Sequence, residues 1–147
     1  PEAEVMLFLA SRAQHVSELI RPVLDEGKMV ISDRFADSSV AYQGYGRGID
    51  IELIKQLNTF VTGGLTPDLT ILLDVDPMIG LERVKRGKGG MDRIESEKLE
   101  FHERVRRGYL EMARLEPNRF VVIDASREIE PVQIEVREAV ERCLKRS

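Results

Sequence analysis

Residues 28–48 read KMVISDRFADSSVAYQGYGRG, and the meaning of this stretch decides the fold. A short apolar run, Met29-Val30-Ile31, breaks off at Ser32-Asp33-Arg34-Phe35 and passes into small residues that carry Ser38, Ser39, Tyr42 and Gln43. The pattern predicts a buried strand whose carboxyl end delivers its charges into a cleft. In open α/β sheets ligands bind beyond the carboxyl ends of the strands, so a carboxylate, a guanidinium, hydroxyls and an amide placed there form a candidate site. The competing reading is a helix-capping Asp beside a surface Arg, since Asp commonly caps helices.

Upstream, Met6, Leu9, Ala13, Val16, Ile20 and Leu24 recur three or four residues apart, which predicts a long amphipathic helix over residues 3–26. Pro22 is expected to kink it or split off its last turn, and Gly27 to stop it. At 3.6 residues per turn Phe8 lies about 125° from the centre of the apolar stripe, with Arg12 one turn further along on the same side. The two form a second face, either the flank of a wide core face or the wall of a site.

Downstream, Asp50 is expected to cap a helix that turns Ile54, Leu57 and Val61 inward and ends at Gly63-Gly64. LTILLDV, residues 69–75, is apolar almost throughout, as a strand covered on both faces would be, with Asp74 and Asp76 at its end. Pro77 suits the first turn of a helix over residues 78–86, with Ile79 inward. Residues 95–116 predict a long helix with Phe101, Val105, Tyr109 and Met112 on one stripe. RFVVID, residues 119–124, is a third apolar strand ending in an acid, and Pro131 is expected to open a last helix with Val132, Val136, Val140 and Cys143 inward. Strands alternating with helices predict an α/β protein of parallel βαβ units: a three-layer parallel sheet with helices on both faces, in one domain over residues 1–147.

The 22 Lys and Arg against 26 Asp and Glu leave a net charge of −4. This balance argues against a partner such as nucleic acid or an anionic membrane surface, and any anion site must be local. No apolar run approaches the roughly 20 residues a bilayer requires, and Pro1-Glu2-Ala3-Glu4 has no signal-peptide character, so the expected location is cytoplasmic. His15 and His102 stand alone, without metal-ligand spacing, and the single Cys143 reads as a buried structural thiol.

Against the acidic background, residues 83–93, RVKRGKGGMDR, concentrate Arg83, Lys85, Arg86, Lys88 and Arg93 among three glycines. This is either a mobile basic lid that neutralises a polyphosphate or a solvated charge run. A nucleotide site needs cationic donors for phosphate and a flat apolar surface for a base. Arg34 can fork onto phosphate oxygens, Phe8 can stack, and Arg12 and Gln43 can address a base edge. Asp33 can orient that arginine, hold a magnesium-bound water or accept a proton. Gly44, Gly46 and Gly48 lack a preceding strand and read as a flexible turn, and no G-x-x-x-x-G-K-[ST] loop occurs in the sequence.

LFLASR, SDRF, SSVAYQGYGRG, TPDLTILLDVDP, MDRIE, RVRRGYLE and VVIDAS together resemble the bacterial thymidylate kinases, a family of P-loop nucleoside monophosphate kinases. The resemblance extends over nearly the whole chain. It implies transfer of the γ-phosphoryl of MgATP to dTMP, with ATP as co-substrate, Mg2+ as cofactor and a homodimer as the usual assembly. By position it implies dTMP binding by Phe8, Arg12, Arg34, Ser39, Tyr42 and Gln43, with Phe8 on the thymine, Arg12 on a base carbonyl, and Arg34 on the phosphate beside Asp33. Residues 83–93 resemble the family's lid, with Arg83, Arg86, Lys88 and Arg93 towards the ATP phosphates and either Arg86 or Lys88 as its catalytic cation. Asp124, Ala125 and Ser126 resemble the loop near the adenine. The family's first two βα units, which include the P-loop, have no counterpart in the chain, so these 147 residues alone are expected to transfer no phosphoryl group and to lack a stable fold. The alternatives are a related nucleoside monophosphate or deoxynucleoside kinase, or a non-catalytic nucleotide-binding module.

Overall fold

The computed structural model describes residues 2–85 and 93–145, with the side chains of 84–85 and 93–98 outside that description. The chain divides into two compact units, Pro1–Thr66 and Pro67–Ser147.

The first unit is helical. Helix α1 (Glu2–His15) passes through a π-helical turn, Val16–Ile20, into the short α2 (Arg21–Asp25). Pro22 has no N–H to offer an i−4 carbonyl, and the turn before it widens so that the Arg21 N–H reaches the Val16 oxygen. The proline therefore changes the helical pitch one turn early rather than ending the helix. Gly27, at φ 72°, stops it as the sequence predicts. Val5, Leu9, Val16 and Ile20 are buried, whereas Met6 and Leu24 of the expected stripe are exposed, so the inward face is centred on Val5 rather than Met6.

Helix α3 (Ala36–Ser39) continues as a seven-residue π-helix, Val40–Gly46. Gly44 and Gly46 are buried in it, so the expected flexible turn is confined to Gly48, at φ 79°. A Cβ on Gly44 would stand 3.1 Å from Ile51 Cγ1, which makes the glycine a packing requirement between this helix and α4 (Ile51–Thr62). The Asp50 carboxylate accepts the Leu53 N–H at 2.9 Å, and Gly63 ends α4 in the left-handed conformation, as expected. Replacing Asp50 with alanine strands that N–H, and the denaturation midpoint should report a loss of about 1 kcal/mol.

The strand expected at Met29–Ile31 is not formed. The segment joins no ladder, and Met29 and Ile31 are 59% and 85% exposed. A strand exists through its ladder, and among the described residues the first unit holds no second strand to supply one.

The second unit is built on two parallel strands, β1 (Thr70–Asp74) and β2 (Phe120–Asp124), in register from Thr70↔Phe120 to Asp74↔Asp124. Parallel pairing and the α/β class are as predicted. The crossover consists of α5 (Pro77–Lys85) and α6 (Arg93–Leu115), and α7 (Ile129–Leu144) follows β2. Helices α6 and α7 both pack on β2, whose Phe120 and Ile123 are buried with Val105 and Met112 of α6 and Ala139 of α7. Strand β1 is only partly covered: Leu73 is 51% exposed, against the expectation of cover on both faces. Ile79 is likewise exposed rather than inward. Helix α7 begins two residues before Pro131, which sits in its first turn, where its missing N–H costs no hydrogen bond. Cys143 is half-buried.

Candidate functional site

The register sets Asp74 and Asp124 side by side at the carboxyl ends of the two strands, where like charges repel. Each has its own compensation. Arg106 forks onto Asp74, Nε to Oδ1 at 2.7 Å and Nη2 to Oδ2 at 2.8 Å, and reaches Asp76 at 3.6 Å. Those bonds to Asp74, more than burial against it, hold the Arg106 pKa above its ordinary value. Asp124 Oδ1 accepts the Ser126 hydroxyl at 2.6 Å and the Ser126 N–H at 2.9 Å, and these bonds keep its carboxyl below the usual range. Arg83 donates to the carbonyls of Ala125 (3.2 Å) and Ser126 (3.1 Å). The structure thus joins Arg83 of the basic segment to the loop Asp124–Ser126. Arg86 and Lys88 lie outside the described residues, as does the side chain of Arg93.

The other expected residues meet within the first unit. A cleft of about 340 Å³ is lined by Glu4, Phe8, Arg12, Asp33, Arg34, Phe35, Ser38, Ser39, Tyr42 and Gln43. Its size is that of a small-ligand pocket. One wall is α1: Glu4, Phe8 and Arg12 stand four residues apart and so share one side of the helix, one above another. Phe8 is 51% exposed, an aromatic face presented to the opening rather than the flank of the core. The facing wall is α3 and the π-helix, whose five-residue hydrogen-bond spacing carries Tyr42 and Gln43.

Arg12 is the structural centre of the cleft. Its Nη1 donates to Asn58 Oδ1 at 2.6 Å, and its Nη2 donates to the Phe35 carbonyl at 3.2 Å and to Ser39 Oγ at 3.0 Å, with the guanidinium 5.7 Å from the Phe35 ring centroid. Asn58 and Ser39 are buried. Burial lowers the Arg12 pKa, against the charge of Asp37. A guanidinium has five N–H donors, so three fixed bonds leave two for a ligand.

Arg34 has φ 71°, the left-handed region that costs a residue with a Cβ about 1 to 2 kcal/mol. The Ser32 hydroxyl donates to its carbonyl at 2.8 Å and braces the turn. The turn lays the guanidinium over the Tyr42 ring, 5.0 Å from the centroid, with Asp33 beside it on the cleft. The helix-cap alternative for Asp33 therefore gives way: Phe35 is the residue preceding α3.

Three participants escaped the sequence reading. Asn58 acts on Arg12 from 46 residues away, and Phe35 does so through its carbonyl. Glu4 Oε1 accepts the Gln43 Nε2–H at 2.7 Å, and its Oε2 lies 3.6 Å from Arg47. The four-residue spacing from Glu4 to Phe8 and Arg12 was the available signal.

A thymidylate kinase family model matches residues 1–136, and the chain belongs to that family of nucleoside monophosphate kinases. The thymidylate kinase of Desulfovibrio desulfuricans is 55% identical over 98% of this chain and 69% of its own length. Those of Carboxydothermus hydrogenoformans (55%, over 93% of this chain and 66% of the relative) and Deinococcus radiodurans (51%, over 95% and 68%) are similarly close. The chain spans about two thirds of the length of these curated relatives. Among the described residues no helix is long and apolar enough to cross a membrane.

Proposed function

We propose that the protein transfers the γ-phosphoryl group of ATP to a phosphate oxygen of dTMP, giving dTDP and ADP, and that the cleft of the first unit holds dTMP. The observation that carries this reading is the gathering of Phe8, Arg12, Asp33, Arg34, Ser39, Tyr42 and Gln43 around one pocket of mononucleotide size. Phe8 stacks on thymine, Arg12 spends its two remaining donors on a base carbonyl, and Ser39, Tyr42 and Gln43 border the base and sugar. Arg34 forks onto the dTMP phosphate, and Asp33 orients it or takes the proton of the attacking oxygen.

In the second unit Asp124, Ala125 and Ser126 take the adenine side of ATP, and residues 83–93 act as a basic lid on its phosphates, with Arg86 or Lys88 as the cation that meets charge in the transition state. The family model runs through both units, which supports one kinase domain over residues 1–147. Mg2+ arriving with ATP would neutralise part of the charge on its phosphates. Among the described residues no group of three or more His, Cys, Asp or Glu side chains could hold a metal ion. A cytoplasmic homodimer is the assembly the family suggests.

Replacing Phe8 with alanine in the natural full-length protein tests the stacking. The KM for dTMP should rise about tenfold while that for ATP stays within twofold, since base–aromatic stacking contributes about 1 to 3 kcal/mol. Equal rises in both would remove Phe8 from the base site.

A further inference from the structure

We propose that Glu4 is a positioning residue that decides which pyrimidine edge Gln43 accepts, an inference that rests on dTMP occupying the cleft of the first unit. Gln43 is 4% exposed, and its Nε2–H donates to Glu4 Oε1 at 2.7 Å. An ionised carboxylate accepts hydrogen bonds and donates none, so the amide meets Glu4 with its nitrogen and turns its oxygen away. Arg47, 3.6 Å from the other carboxylate oxygen, anchors Glu4 from its second side.

Glu4 and Gln43 line the cleft together with Phe8 and Arg12, so a base stacked on Phe8 meets the amide in the orientation that Glu4 imposes. Thymine and uracil carry a donor, N3–H, at the middle of the edge that faces such a group. Cytosine carries a bare nitrogen there, which accepts. An amide presenting Oε1 therefore accepts from the imide of thymine or uracil and leaves two acceptors opposed when cytosine enters. Without the carboxylate the amide is free to turn end for end and offer N–H to cytosine. Glu4 acts through Gln43 and does not itself touch the base.

The test is Glu4→Ala in the natural full-length protein, titrated calorimetrically with dTMP, dUMP and dCMP in the absence of ATP. The ratio of dTMP to dCMP affinity should fall about fivefold to tenfold, the scale of one hydrogen-bond preference. The ratio of dTMP to dUMP, which share the N3–H, should not change. Glu4→Met keeps the bulk of the side chain without an acceptor carboxylate and carries the same expectation if the alanine variant does not fold. Equal weakening for all three nucleotides, or no change in the dTMP to dCMP ratio, overturns the inference and leaves Glu4 a packing residue. If the unmodified protein itself does not distinguish dTMP from dCMP, the assignment of the cleft to thymidylate falls instead.

Discussion

Arg34→Ala in the natural full-length protein will lower kcat/KM for dTMP about a hundredfold to a thousandfold, with loss in both turnover and dTMP affinity. Among the described residues the guanidinium beside Asp33 is the only cation lining the cleft apart from Arg12, whose Nη1 and Nη2 already hold Asn58, Ser39 and the Phe35 carbonyl. Removing one fixed group aimed at developing charge typically costs about 2.7 to 4 kcal/mol. Arg34 is exposed, and its side-chain contact is with the Tyr42 ring, so the substitution should leave the unfolding midpoint nearly unchanged. Steady-state kinetics over a grid of both substrates, with thermal unfolding as the control, separates these effects. A loss below tenfold would mean that the phosphate is held elsewhere.

Arg12 should show the opposite emphasis. Arg12→Ala removes the donor from Asn58 Oδ1, Ser39 Oγ and the Phe35 carbonyl at once, and two of those side chains are buried. Buried polar groups left without partners cost about 1 to 3 kcal/mol each, and part of the loss is recovered by water entering from the cleft, so urea denaturation should report a destabilisation of about 2 to 4 kcal/mol. Asn58→Ala alone should cost less, and the double variant should fall short of the sum, because both changes break the same bond. Strict additivity would show that Arg12 and Asn58 do not support one another in solution.

What the sequence made readable divides along a physical line. Helix limits are written locally, in the Asp50 cap, in Gly27 and Gly63, and in the repeat of apolar residues along α6, and these were legible to within a few residues. The strands 70–74 and 120–124 were legible because each apolar run pairs with the other. Met29-Val30-Ile31 is equally apolar but has no strand partner among the described residues, and composition cannot report a partner. The cleft followed from Phe8, Arg12 and the Asp33-Arg34 turn, whose chemistry is explicit. Its supports were hidden: Asn58 reads as an ordinary polar residue on α4, and only the three-dimensional return of α4 to α1 brings it to Arg12. The π-helical spacing of residues 40–46 also left no mark in the sequence, and it turned the expected loop of glycines into a buried wall.

The left-handed backbone at Arg34 has a consequence for how the protein can be improved. Glycine adopts that conformation without penalty, so a screen that rewards heat resistance alone should favour Arg34→Gly and discard the guanidinium with the strain. Stability and function pull this single position in opposite directions. A library selected only for resistance to unfolding should therefore drift towards inactivity at residue 34, whereas one selected for growth should retain arginine and gather its compensating gains elsewhere in the fold.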